Sequence, residues 1–127
     1  MSPEGQLLWK YVAPLQPWES KRGGNFHPNA PTLYDGAVYL NSVDGRFYAV
    51  DMETGSAIWI KRVANSVCCD TGHVAVYAGY VVSHTDSTDG GCGKCQTVRA
   101  LNASTGDEIW SYTPDNPVWD LMVDFVG

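Results

Sequence analysis

Basic side chains are few and scattered in this chain. Eight Lys and Arg stand against 14 Asp and Glu, a formal charge of −6, and only Lys21-Arg22 and Lys61-Arg62 are adjacent. Nucleic acid and anionic membrane surfaces both require clustered cations, so neither is expected as a partner. No apolar run approaches the roughly 20 residues that span a bilayer, so no membrane span is expected. The opening Met1-Ser2-Pro3-Glu4-Gly5 has no basic n-region and no apolar h-region, so no signal peptide is expected there. Leucine is sparse and stretches with helical spacing are missing. What remains, in 127 residues, is enough for about one small domain.

Glycine (13 residues) and aromatics (12%) are plentiful, and Gly and Asp-Gly pairs separate short runs of β-branched and aromatic residues. This punctuation predicts an all-β fold. Asp35-Gly36, Asp44-Gly45 and Asp89-Gly90 are read as turns, because the spacing of a calcium loop is lacking.

The chain repeats itself. Residues 49 to 59 read Ala49-x-Asp51-x-x-Thr54-Gly55-x-x-x-Trp59, and residues 100 to 110 read Ala100-x-Asn102-x-x-Thr105-Gly106-x-x-x-Trp110. A truncated copy ends at Trp9, with Gly5 four residues before it. The tryptophans lie 50 and 51 residues apart, a period that fits a four-stranded antiparallel propeller blade.

In the first full unit Ala37-Val38-Tyr39-Leu40 reads as a strand, Val43-Asp44-Gly45 as a tight turn and Arg46-Phe47-Tyr48-Ala49-Val50 as its partner. Glu53-Thr54-Gly55 then turns the chain into the outermost strand, Ala57-Ile58-Trp59-Ile60-Lys61. The second unit repeats this with Tyr80-Val81-Val82, Thr97-Val98-Arg99-Ala100-Leu101 and Glu108-Ile109-Trp110-Ser111-Tyr112. Its hairpin is longer, the excess running from Asp86 to Cys95. The expected layout is the outer strand of one blade at 5–13, full blades at roughly 28–62 and 72–113, and the first strand of a further blade at 117–127. An array cut this way leaves apolar faces open at both ends. Other propeller blades or a partner protein are therefore the expected cover. Copies of the chain could close a ring only if two unlike cut edges matched, which favours a different polypeptide.

The repeated pattern resembles the tryptophan-docking motif of PQQ-like, quinoprotein alcohol dehydrogenase-type propellers, with Asn102 a mild departure from Asp. The resemblance implies that Trp9, Trp59 and Trp110 are structural, each indole packing across to the next blade, with Gly55 and Gly106 in the turns. Val67-Cys68-Cys69-Asp70 falls between an outer strand and the next blade's first strand, where that family carries Cys-Cys-Asp. There the adjacent cysteines form a disulfide against the quinone, so the resemblance marks Cys68 and Cys69 as a vicinal, cofactor-facing pair. Adjacent Cα atoms are about 3.8 Å apart, below the roughly 4.4–6.8 Å of ordinary disulfides, so such a bond is strained and easily reduced. The alternative is two unrelated buried thiols.

The continuation Thr71-Gly72-His73-Val74 lacks the Arg that the family uses to hold its quinone. The family's metal ligands, catalytic base and stacking Trp belong to later blades, so no catalytic or metal-binding residue carries over. The expectation is a scaffold or protein-interaction segment without a cofactor of its own. The alternative is the N-terminal part of a PQQ- and calcium-dependent alcohol dehydrogenase, supplying the disulfide side of the quinone pocket.

Cys92-x-x-Cys95 sits in a Gly-rich hairpin tip. Zinc needs four ligands, and with His84 added one is still missing, so a local disulfide is the expected state. Two close cysteine pairs favour an oxidising compartment, periplasmic or secretory. His27 and His73 have no nucleophile or carboxylate arranged around them and are read as loop or surface residues. Asn102-Ala103-Ser104 is a glycosylation sequon on an exposed turn, usable only in a secreted eukaryotic chain.

Overall fold

The computed structural model describes residues 4–12, 31–42, 45–63, 67–71, 73–87 and 96–113. Among them there is no helix, only strands in two antiparallel sheets. The first sheet has the order β1-β2-β3-β4, with β1 Thr32–Tyr34, β2 Ala37–Ser42, β3 Arg46–Asp51 and β4 Ala57–Arg62. The second contains β5 Val67–Thr71, β6 Ala75–Tyr77, β7 Tyr80–Ser87, β8 Gln96–Asn102 and β9 Glu108–Tyr112. In it, β5 and β6 both pair with β7, which continues through β8 to β9. This is an open, incomplete all-β propeller of two blades.

Local chemistry accounts for the hairpins. Between β1 and β2 the two-residue loop Asp35-Gly36 has φ of 47° and 77°; between β6 and β7, Ala78-Gly79 has 49° and 85°. Two successive positive φ angles make the mirror-image turn whose twist matches that of paired strands. In the next hairpin the Gly45 amide donates to the Ser42 carbonyl at 3.0 Å, and the Val63 amide donates to the Gly45 carbonyl at 2.8 Å.

The core lies between the two sheets, because period-two alternation sends one set of side chains from each sheet inward. Along β2 the residues alternate between buried and half-buried. Ala37, Tyr39, Phe47, Ala49 and Trp59 of the first sheet share one buried cluster with Val74, Val81, Leu101 and Ala103 of the second. Ala49 lies opposite Trp59, and Ala100 opposite Trp110, with both alanines fully buried. A small residue at that place leaves room for an indole on the neighbouring strand.

Buried polar groups join the sheets as well. Asn41 Nδ2 donates to Ser83 Oγ at 3.0 Å and to the His84 carbonyl at 3.3 Å. Thr32 Oγ1 donates to the Val74 carbonyl across the sheets, and within the second unit Ser83 Oγ donates on to the His73 carbonyl at 2.8 Å.

Three features differ from the sequence reading. Residues 67–70, read as a connection, form most of β5 and extend the second sheet ahead of residue 72. The reason is the length of β7: its first half pairs with β6 and its second half remains open to β5. Strands β2, β7 and β8 run longer than the apolar patterns Ala37–Leu40, Tyr80–Val82 and Thr97–Leu101 suggested, because the ladder continues through Asn41-Ser42, through His84 and Thr85, and through Asn102. Residues 5–12 belong to neither sheet, since a strand exists only where a partner completes its hydrogen-bond ladder. The strand expected at 117–127 lies outside the described residues.

Candidate functional site

The motif residues build two nearly identical turns. In the first, Asp51 Oδ1 accepts from the amides of Glu53 and Thr54, both at 2.9 Å. In the second, Asn102 Oδ1 accepts from Ser104 at 2.9 Å and Thr105 at 3.2 Å. Only a carbonyl-type oxygen is used, so Asp and Asn serve alike. The threonine hydroxyls accept from the second residue beyond them, Ser56 and Asp107, each at 3.3 Å. The Gly55 amide donates to the Asp51 carbonyl at 2.9 Å, and the Gly106 amide to that of Asn102 at 2.7 Å.

Each turn presents a bare glycine to a tryptophan from the preceding unit. Trp9 lies over Gly55, where a Cβ would come within 2.6 Å of the indole; Trp59 lies over Gly106 with the same 2.6 Å approach. Gly55 and Gly106 also have φ of 74° and 78°. Both the close ring and the left-handed backbone require glycine there. Each indole N–H finds a carbonyl: Trp9 Nε1 donates to Met52 and Trp59 Nε1 donates to Ala103, both at 2.8 Å. The Ala103 carbonyl also accepts from the Tyr39 hydroxyl at 3.3 Å. Tyr39 and Trp59 pack with ring centroids 6.2 Å apart.

Two titratable groups of the site are shifted in opposite directions. The Asp51 carboxyl is held below the usual carboxylate range, chiefly by the Thr54 amide and then by that of Glu53. Burial, then the nearby Asp35 carboxylate, raises the Tyr39 hydroxyl above its ordinary value. Arg99 Nε donates to Glu108 Oε1 at 3.0 Å, a half-buried guanidinium paired with an exposed carboxylate.

Trp110 is the exception among the three tryptophans. Trp59 is 9% exposed, whereas Trp110 is 47% exposed and its neighbour Tyr112 is 63% exposed. The Met52 and Ala103 carbonyls were not anticipated from sequence, although both immediately follow the Asp or Asn of the motif. That position is the only signal that could have found them.

The other candidates are less gathered. Cys68 and Cys69 lie in β5 where the pairing slips, from Val67 opposite Ser87 to Thr71 opposite Thr85. Three β5 residues, Cys68 to Asp70, thus stand against the single Asp86 of β7, a bulged stretch. The side chains of β5 lie outside the described residues, as do Cys92, Cys95 and His27 entirely. His73 is exposed. His84 is buried in β7, opposite Val98. No cluster of three metal-binding side chains exists among the described residues.

A family model described as "Outer membrane protein assembly factor BamB" matches residues 2–123. The chain belongs to this PQQ-like propeller family. It is 31% identical over 120 residues to the quinoprotein alcohol dehydrogenase PedH of Pseudomonas putida, covering 87% of this chain and 19% of that protein. Among solved structures it resembles a europium-containing methanol dehydrogenase, with a TM-score of 0.65 and 19% identity, over 84% of this chain and 19% of the other. It also resembles the quinohemoprotein alcohol dehydrogenase of Comamonas testosteroni, with a TM-score of 0.54 and 23% identity, over 68% and 13%. Both structural likenesses establish the fold. The PQQ-like chain described here spans about a fifth of the curated relative's length.

Proposed function

We propose that the chain is a scaffold and protein-interaction segment of a PQQ-like propeller, holding its place in a larger assembly through tryptophan docking between blades. The observation that carries this reading is the unequal fate of equivalent tryptophans. Trp9 and Trp59 sit on glycine turns, while Trp110 remains 47% exposed on a finished sheet. A half-exposed indole beside an exposed tyrosine is the composition of an interaction patch. Its partner is another blade or a protein carrying an equivalent turn. The oxidising compartment fits an outer-membrane assembly factor as family namesake.

Light scattering of the chain tests the reading. Species heavier than 13.9 kDa that grow with concentration are expected. A stable, monodisperse monomer with cooperative unfolding would show that the open edges are harmless, and would overturn it.

A second reading, the disulfide side of a quinone pocket, draws on the 31% identity to a quinoprotein alcohol dehydrogenase and on Cys68-Cys69-Asp70. Against it stands the segment after β5, where the resembling enzymes carry a quinone-holding Arg. Here the carbonyls of His73 and Val74 are tied to Ser83 and Thr32, and the Val74 side chain enters the core. That stretch serves the joint between the sheets. When bound, PQQ with calcium would supply hydride-accepting redox chemistry, and Cys68 and Cys69 are this chain's only residues assigned toward it. Mass spectrometry of a non-reduced peptide spanning 63–71 should show a loss of two hydrogens if the vicinal bond forms. Two freely alkylated thiols would remove this reading's main support.

A further inference from the structure

Strand β7 is shared between two partners, and its halves meet at Ser83. Tyr80, Val81 and Val82 pair with β6, whereas Thr85 and Ser87 hold β5. Between those two anchors Cys68, Cys69 and Asp70 stand against the single Asp86. In a regular strand successive side chains point to opposite faces, which keeps the sulfurs of adjacent cysteines apart. A bulge breaks that alternation and re-aims side chains. A bond between Cys68 and Cys69 therefore depends on the surplus residues staying between Val67 and Thr71. If β5 slid into even register, the alternation would return.

The Thr71 anchor of the bulge is tied down from the first blade. Asn41, on β2, donates through Nδ2 to Ser83 Oγ at 3.0 Å and to the His84 carbonyl at 3.3 Å. Ser83 Oγ donates in turn to the carbonyl of His73, two residues beyond Thr71, at 2.8 Å. Thr32 Oγ1, on β1, donates to the adjoining Val74 carbonyl. Asn41 is 8% exposed and Ser83 is fully buried, so these bonds form away from bulk water, where they hold most firmly. Ahead of the bulge, the Val63 amide donates to the Gly45 carbonyl at 2.8 Å. The stretch 63–74 is thus tied to the first blade at both ends, with the surplus residues between the ties.

We propose that Asn41 and Ser83 are positioning residues for Cys68 and Cys69: by fixing the backbone behind Thr71 they hold the bulge in which a vicinal bond can close. This rests on the reading of the two cysteines as a vicinal pair, and adds what sets their redox balance. Closing the bond joins the two sulfurs and removes two protons and two electrons. A low-molecular-weight disulfide takes these up and leaves as two thiols. The coupling is reciprocal, so the closed bond also favours the clamped joint between the sheets.

Glutathione redox buffers test this on the full chain carrying Cys92→Ser and Cys95→Ser, so that one pair alone titrates. Alkylation followed by intact mass reads the dithiol fraction at each ratio of glutathione to its disulfide. Ser83→Ala should move the balance toward the dithiol by about tenfold, or about 30 mV for a two-electron couple. Asn41→Leu removes both donations across the sheets and should move it the same way. Ser83→Thr keeps the hydroxyl and should stay close to the unsubstituted chain. Val81→Ala, in the same strand and fully buried but with an apolar side chain, should lower the unfolding midpoint and leave the balance unmoved. An unmoved balance in Ser83→Ala, or an equal shift in Val81→Ala, overturns the positioning role and leaves the vicinal bond standing. Two alkylated thiols at every ratio in the chain with Asn41 and Ser83 intact would instead remove the vicinal reading, and the role with it.

Discussion

The two blades carry the same eleven-residue motif and make the same turn, yet their tryptophans end differently. Trp59 leaves the first blade and is buried over Gly106 of the second; Trp110 leaves the second and stays half exposed. The hydrogen bonds of the turns match one for one, down to the Asp51 and Asn102 side chains. The motif therefore specifies a local seat and a projecting indole, and burial of that indole depends on what faces it. One device thus buries one indole and leaves the other half exposed.

The comparison breaks most sharply at the tryptophans. Trp59→Ala should cost about 3–5 kcal/mol, as for other buried aromatics, because the indole, its bond to Ala103 and its contact with Tyr39 are lost together. Trp110→Ala should cost the isolated chain less than about 1 kcal/mol, because a half-exposed side chain leaves a small cavity. Chemical denaturation of the two variants under dilute conditions checks the difference; equal losses would mean that the second blade already has a cover.

Glycines at equal φ but unequal surroundings sharpen it next. Gly106 and Gly79 have φ of 78° and 85°, but a Cβ meets the Trp59 ring only at Gly106, and nothing lies within 4 Å at Gly79. Gly79→Ala should cost about 1–2 kcal/mol from backbone strain alone. Gly106→Ala should cost about 3 kcal/mol, adding displacement of the indole to the strain. Thermal unfolding of both variants separates the two contributions.

Much of this was legible before the structure, because turns are written in few residues. Thr54-Gly55, Thr105-Gly106 and Asp35-Gly36 stand in turns as read, and the 50-residue period pointed to propeller repeats, whereas the Ala78-Gly79 turn gave no such signal. Three things were not legible, each for a physical reason. Strand β5 has no alternating pattern and joins β7 only at Val67 and Thr71. The acceptors of the indole bonds are backbone carbonyls, which no side chain advertises. The segment 5–12 has a strand-like composition, but composition cannot supply a partner strand.

The hairpin turns offer a smaller contrast. Asp35 and Ala78 occupy equivalent places with φ of 47° and 49°. Asp tolerates the left-handed region and alanine does not. Ala78→Asn should therefore stabilise the second blade by about 0.5–1 kcal/mol, read as a rise in unfolding midpoint, while Asp35→Ala should lower it.

The finest distinction is between Asp51 and Asn102, which differ only in whether the turn acceptor can be protonated. Amides of Thr54 and Glu53 hold the Asp51 carboxyl below its ordinary value, so the folded state binds its proton less readily than the unfolded chain does. A depressed folded value contributes stability that is fully present above the unfolded carboxylate range. It is lost as the pH falls through that range and then through the lower folded value. Asn102 makes the same two bonds without a titrating group, so its turn keeps them in acid. Acid should thus weaken the Gly55 seat and spare the Gly106 seat, and Trp9 should leave its turn before Trp59 does. Because Asp51 is exposed to solvent, the effect is expected to be small. Asp51→Asn makes the two turns chemically alike and should flatten the acid limb of the stability profile, with little change near neutral pH. Unfolding midpoints measured from pH 7 down to pH 3 for the chain and this variant give the test. An acid limb of the same steepness in both would place the titrating carboxyl elsewhere.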